Sequence, residues 1–158
     1  MAGELFKSMA GVYLVHIPYR DNTGTRTDLI GGQVDVMFDA VITMVEQVKA
    51  GKVKAIVTTG WTRSEVLPEV TTMAEGGLPG YEATIWLGLM APRGPAKAVV
   101  DRFNEAVSKI SSQLDVKQLW GRQGAGPLVM TPEVFHKYTR DYITKWSRVI
   151  QSAGIKSD

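Results

Sequence analysis

The sequence predicts an α/β chain, with a parallel-type sheet flanked by helices that gives way to a helical C-terminal part. Three observations predict it. Strand-like and helix-like patterns alternate from Val12 to Thr59, as βαβ units require. The apolar spacing changes to a helical period from about Pro95 onward. The 158 residues, 44% hydrophobic and 22% charged, suffice for a core of ordinary globular composition.

Gly3 to Met9 reads as a short helix with Leu5, Phe6 and Met9 on one face, stopped by Gly11. Val12 to Pro18, "VYLVHIP", is β-branched and aromatic and reads as a strand. A polar knot follows, Arg20 to Gly24, in which Asn22 or Thr23 can cap a helix around Thr25 to Ile30. Gly31 and Gly32 end that helix. "VDVMF", Val34 to Phe38, reads as a buried parallel strand closed by Asp39. Val41, Met44, Val45 and Val48 recur at helical spacing up to Gly51, and "VKAIVTT", Val53 to Thr59, is the next strand.

Gly60 to Tyr81 is rich in Pro and Gly and reads as loop, with a short helix near Thr72 to Glu75. Thr84 to Pro92, "TIWLGLMAP", reads as an apolar strand. Pro95 opens a helix whose Val99, Val100, Phe103, Val107 and Ile110 form one stripe. Val116, Leu119 and Trp120 mark a shorter helix. Thr131 caps a long one, begun by Pro132, with Phe135, Tyr138, Tyr142, Trp146 and Ile150 on its buried face.

Several function classes lose support at once. The net charge is +2 and the basic residues are scattered, so the stripe expected of a nucleic-acid binder is missing. The absence of cysteine removes disulfides, thiolate metal sites and a Cys nucleophile. His16 and His136 stand alone, with no metal-ligand spacing, and read as structural. "GRQGAG", Gly121 to Gly126, has the wrong glycine order and context for a nucleotide loop. Neither a cofactor nor a resident metal is expected. The tryptophans Trp61, Trp86, Trp120 and Trp146 read as core, with Trp61 also placed to line a cleft. No apolar run reaches the ~18 residues of a membrane span. "MAGELFKSMAG" lacks the apolar core of a signal peptide, so the chain taken alone reads as cytoplasmic.

The polar knot is where chemistry gathers. A loop between a parallel strand and a helix lies at the carboxyl edge of a sheet, where open α/β folds bind ligands. Unpaired N–H groups and the helix dipole favour an anion there. Asn22, Thr23 and Thr25 add donors, and Asp39 lies on the same rim. The same pattern reads equally as capping, by Asn22 for one helix and Asp39 for the next.

At these residues the chain resembles a known family. "AGELFKSMAGVYLVHIPYR", "TDLIGGQVDVMFD", "VKAGKVKAIVTT", "LPEVTTMAEGGLPGYEATIWLGLMAPRGPAKAVVDRFN" and "WSRVIQSAGIK" are similar to the extracytoplasmic solute receptors of the tripartite tricarboxylate transporter system, the TctC or Bug family. The resemblance runs from Ala2 to Lys156. It implies a periplasmic-binding-protein-like, type II or Venus flytrap, fold, in which two lobes hold a small carboxylate, amino acid or related metabolite. It implies a periplasmic, non-enzymatic protein that delivers its ligand to membrane transporter subunits. By the same resemblance Tyr19, Asn22, Thr23, Thr25 and Asp39 are ligand-binding, and Trp86 lies near the hinge. An enzymatic alternative, a small hydrolase or isomerase using Asp39 with His16, has no motif behind it.

The binding loop departs from the family's usual Y-K-G-S-A-P-A: Asp21, Asn22 and Gly24 replace its Gly, Ser and Pro. Family members are also about twice this length, one lobe being a typical domain. Residues 1–83 are therefore expected to form most of lobe two. Residues 84–158 are expected to supply the crossover strand and the C-terminal helices of lobe one. Truncation in this sense leaves apolar faces open and predicts a homodimer or higher oligomer in which those stripes meet, exchange of the C-terminal helices being one way to bring them together. It also predicts weak ligand binding, or an interaction remnant that binds no small molecule.

Overall fold

The protein is described by a computed structural model covering residues 1–94 and 96–155. Pro95, expected to open a helix, lies outside the described residues, as does Lys156 at the end of the resemblance. The chain divides into two compact units, Ala2–Ile85 and Trp86–Asp158 together with Met1.

Three helices belong to the N-terminal unit: α1 (Ala2–Ala10), α2 (Asn22–Ile30) and α3 (Val41–Lys49). Their ends follow local chemistry. Gly11 and Gly51 adopt positive φ just past α1 and α3, the left-handed stop that glycine accepts without strain. The cap of α2 is Asp21, whose Oδ1 accepts from Gly24 N at 2.8 Å, rather than Asn22 or Thr23. The helix consequently starts three residues before the expected Thr25. Asp21, one residue before Asn22, supplies a cap oxygen of the same quality, and an acid at that end also suits the helix dipole.

The core of this unit gathers Val45, Leu67 and Val70, with Val41, Val48, Ala55 and Val66 packed around them. Tyr81 is fully buried, and its hydroxyl donates to the Ala2 carbonyl at 2.9 Å. Burial raises its pKa to about 12, with a further push from the neighbouring Glu82. Thr72 to Glu75, expected as a short helix, is a turn closed reciprocally. Thr72 N donates to Glu75 Oε2 at 2.7 Å, and Glu75 N donates to Thr72 Oγ1 at 3.2 Å. That is the capping-box exchange without a helix to follow.

The C-terminal unit contains α4 (Lys97–Ser111), α5 (Leu114–Gly121) and α6 (Pro132–Ser152). Thr131 caps α6 as expected, its hydroxyl accepting from Val134 N at 3.3 Å. Trp86 packs edge-on against Phe135, Tyr138 and Tyr142, with ring centroids 5.5, 5.7 and 5.5 Å away. Trp146 continues the aromatic row and is buried. A Cβ added at Gly88 would lie 2.5 Å from the tip of the Phe135 ring, so only glycine lets the backbone pass there.

The expected parallel sheet is not formed among the described residues. Val12–Pro18, Val34–Phe38 and Thr84–Pro92 run without a β-ladder, and Val53–Thr59 contributes one isolated parallel bridge, Thr58 to Thr72. An extended segment becomes a strand only when a neighbouring backbone exchanges hydrogen bonds with it. The side chains record the missing neighbours: Tyr13, Ile85 and Leu87 are 85%, 78% and 98% exposed. Other expectations of burial fail alongside. Trp61 is exposed, and Val99, Phe103, Val107 and Ile110 leave the apolar stripe of α4 largely open.

Candidate functional site

The expected site residues fall in different places. Tyr19, Asn22, Thr23, Thr25 and Asp39 all belong to the N-terminal unit, whereas Trp86 belongs to the C-terminal one, where it is packed among aromatic rings of α6. Its observed role is packing. An open depression in the N-terminal unit, lined by Val48, Lys52, Lys54, Glu69 and Val70, contains none of the expected residues. No three acidic or histidine side chains gather as a metal site among the described residues.

The loop before α2 is built from short-range hydrogen bonds. Thr25 Oγ1 donates to the Asp21 carbonyl at 3.1 Å, and Thr27 Oγ1 donates to the Thr23 carbonyl at 3.0 Å. Gly24 sits under the Tyr19 ring, 3.7 Å from where its Cβ would be. The Tyr19 hydroxyl donates to Asp28 Oδ2 at 2.7 Å, which ties the loop to the second turn of α2. That hydrogen bond raises the Tyr19 pKa, with lesser contributions from desolvation and the Asp28 charge. Asn22 and Thr23 are exposed at the first two helical positions, where N–H groups have no carbonyl four residues back.

Asp39 is not a free acceptor. Arg26, one turn into α2, grips it with Nε at 2.5 Å from Oδ2 and Nη2 at 3.2 Å from Oδ1. Ala40 N also donates to Asp39 Oδ1 at 2.8 Å, although the cap residue of α3 is Ala40 and has no side-chain bond of its own. Partial burial pushes the Asp39 carboxyl up. The Arg26 and Ala40 donors, with the Thr43 hydroxyl, outweigh it and hold the pKa below the usual carboxylate value. Arg26 is correspondingly held in its charged form by the hydrogen bond to Asp39.

Arg26, Asp28 and the capping Asp21 were missed by sequence reasoning. The Asp21 cap carries a local signal, an acid immediately before a first helical turn. The Arg26–Asp39 pair carries none, since its partners stand 13 positions apart across a glycine turn.

The model of a family described as "Tripartite tricarboxylate transporter family receptor" matches residues 1–155. A protein described as "UPF0065 protein in tcbD-tcbE intergenic region", from Pseudomonas sp., is 34% identical over 151 residues, 95% of this chain and 45% of its own length. The structure of an R. palustris protein with adipate superposes with a TM-score of 0.83 at 29% identity, covering 97% of this chain and 51% of that one. The structure of MatC from Rhodopseudomonas palustris with bound malate gives a TM-score of 0.73 at 34% identity, covering 94% and 52%. The chain thus spans about half the length of the first of these curated relatives and of both structures.

Proposed function

The chain belongs to the tripartite tricarboxylate transporter receptor family, and on that premise we propose that it is a solute-binding protein for a small organic acid. In this reading the ligand lies at the N-terminus of α2. Asn22 and Thr23 present backbone and side-chain donors, Tyr19 and Thr25 shape the loop, and Asp39 lies on the same rim. Trp86, whose ring packs against α6, stands near the hinge in this reading. The protein acts in the periplasm, without catalysis, and hands its ligand to membrane transporter subunits.

One observation carries the reading: the block from Tyr19 to Asp39 sits on an exposed helix N-terminus, in a chain whose family match runs through it. Adipate and malate in the two structural neighbours support an organic acid as ligand class. A receptor that encloses its ligand between two lobes gains from burying it, so binding by this chain alone is weaker. Calorimetry against a panel of mono- and dicarboxylates and amino acids tests the proposal. Selective heat from at least one organic acid is expected, and a featureless panel would refute it.

A second reading, an interaction module that associates with itself, is favoured by the open stripe of α4, where Phe103 is 65% exposed. Light scattering checks it: a dimer or larger species is expected, and a monodisperse monomer sinks it.

A further inference from the structure

The chain exposes 11669 Å² of surface. Two compact units of the lengths found here would together expose about 9,400 Å². The surplus of about 2,200 Å² is more than twice the roughly 800 Å² that each partner of a standard interface buries. In the C-terminal unit the segment Trp86–Met90 stands out. Leu87 is 98% exposed, the highest value among the large apolar side chains of the described residues, and Leu89 and Met90 are 75% and 70% exposed. The other side of the same segment is seated. Trp86 packs edge-on against three rings of α6, and Phe135 lies where a Cβ of Gly88 would be. Seated and open positions alternate with the period of a strand. The backbone N–H and carbonyl groups of Trp86–Met90 make no hydrogen bond to a described residue. The sequence, WLGLM, has neither the charge nor the proline that blunts an open edge.

We propose that Trp86–Met90 is a docking edge for a second copy of this chain, the two segments running antiparallel about a two-fold axis at Gly88. The inference rests on the self-association reading and deepens it, by placing the contact on a strand rather than on the α4 stripe. A second copy is the occupant that this segment fits. Pairing centred on Gly88 sets Leu87 of each copy opposite Leu89 of the other, and Trp86 opposite Met90. Every pair is then apolar against apolar, with an indole meeting a thioether, and no charge meets its like. The open N–H and carbonyl groups gain partners by exchanging hydrogen bonds across the axis. Little freedom is lost on pairing, because α6 already holds the segment through Trp86.

The test uses the full chain. Light scattering follows its mass against concentration. Hydrogen exchange read by mass spectrometry follows residues 86–90 over the same range. A dimer is expected, with exchange at those residues slowing as concentration rises. Leu87→Lys is expected to weaken dimerisation roughly 10- to 100-fold, because each dimer then loses two leucine contacts and sets two charges against leucines. The chain has no cysteine of its own, so an introduced one reports its neighbour. A mixture of Leu87→Cys and Leu89→Cys chains is expected to form a disulfide-linked dimer on mild oxidation. Either variant alone is expected to link far less, because only directly opposite residues come within disulfide reach. The exchange measurement on the wild type does not depend on whether any variant folds.

A monomer at every concentration overturns the inference and the self-association reading together. A dimer that Leu87→Lys leaves within twofold overturns the inference alone, and the self-association reading stands on α4 if Phe103→Ser dissolves that dimer. Where both variants weaken the dimer, exchange decides: slowing at residues 86–90 upholds the inference, and slowing along α4 alone overturns it. Cross-linking as strong with either cysteine variant alone as with the mixture overturns the pairing about Gly88. None of these outcomes bears on the organic-acid reading, which calorimetry tests by itself.

Discussion

Val45, Leu67, Val70, Met73 and Tyr81 close a core in the N-terminal unit, with the polar loop before α2 arranged on its surface. Among the described residues of the C-terminal unit the buried apolar side chains are Trp146 and Val149, and the apolar stripe of α4 faces water. Each unit has one helix with a side-chain N-cap, α2 and α6, and both contain extended segments without ladders. The difference lies in what each helix finds to lie against. The face of α3 meets a loop that returns over it at Leu67 and Val70. The stripe of α4 runs alongside α5 and α6 and remains mostly uncovered. Amphipathicity in a sequence states that a helix needs a partner face, and it does not state that the same chain supplies one.

The contrast can be broken at its strongest point with Leu67→Ala, which should cost about 2–5 kcal/mol as a large-to-small change in a closed core. Urea unfolding monitored by circular dichroism measures it. A loss below about 1 kcal/mol would mean that the core is looser than its burial implies.

High pH probes the same core next. Tyr81 is neutral when buried, and its pKa of about 12 stands above its ordinary value of 10.0. Its contribution is fully present below pH 10 and is lost progressively as pH rises from there toward about 12, because only the unfolded chain ionises it readily. Tyr81→Phe should remove that part of the alkaline transition. Asp39 has the opposite sign. Its lowered pKa gives stability that is present above the ordinary carboxylate range and lost as pH falls through the folded value, so Asp39→Asn should flatten the acid limb.

In the C-terminal unit, Gly88→Ala should cost about 1–3 kcal/mol by forcing the Phe135 ring out of its contact with Trp86. The double change Gly88→Ala with Phe135→Leu should recover part of it, as equilibrium unfolding of the pair would show. Thr72→Ala comes lower, at about 1 kcal/mol for a lost cap. Phe103→Ser in the open stripe is the smallest, within about 0.5 kcal/mol. If Phe103→Ser instead costs as much as Leu67→Ala, and the cost grows with protein concentration, the stripe is covered in solution by another copy.

Legibility in the sequence followed the range of the interaction. The glycine stops at Gly11 and Gly51 and the Thr131 cap are local, and they stand where the pattern put them. Asp21 took the cap expected of Asn22 or Thr23, one residue away, because neighbouring polar residues compete for the same N–H groups. The segments Val12–Pro18 and Thr84–Pro92 carry the composition of strands, but a strand is a relation between two backbones, and composition describes one. The site behaved likewise. The loop from Tyr19 to Thr25 could be picked out as donor-rich, whereas the engagement of Asp39 by Arg26 depends on a turn that brings residues 26 and 39 together.

The hydrogen bond from Tyr81 to Ala2 joins positions 79 residues apart. Its consequence is temporal. A ribosome working at about 5–20 residues per second leaves α1 without this anchor for on the order of ten seconds. During that interval the apolar side of α1, with Leu5 and Phe6, waits for residues not yet synthesised. The N-terminal unit is therefore a fold that its last tyrosine locks.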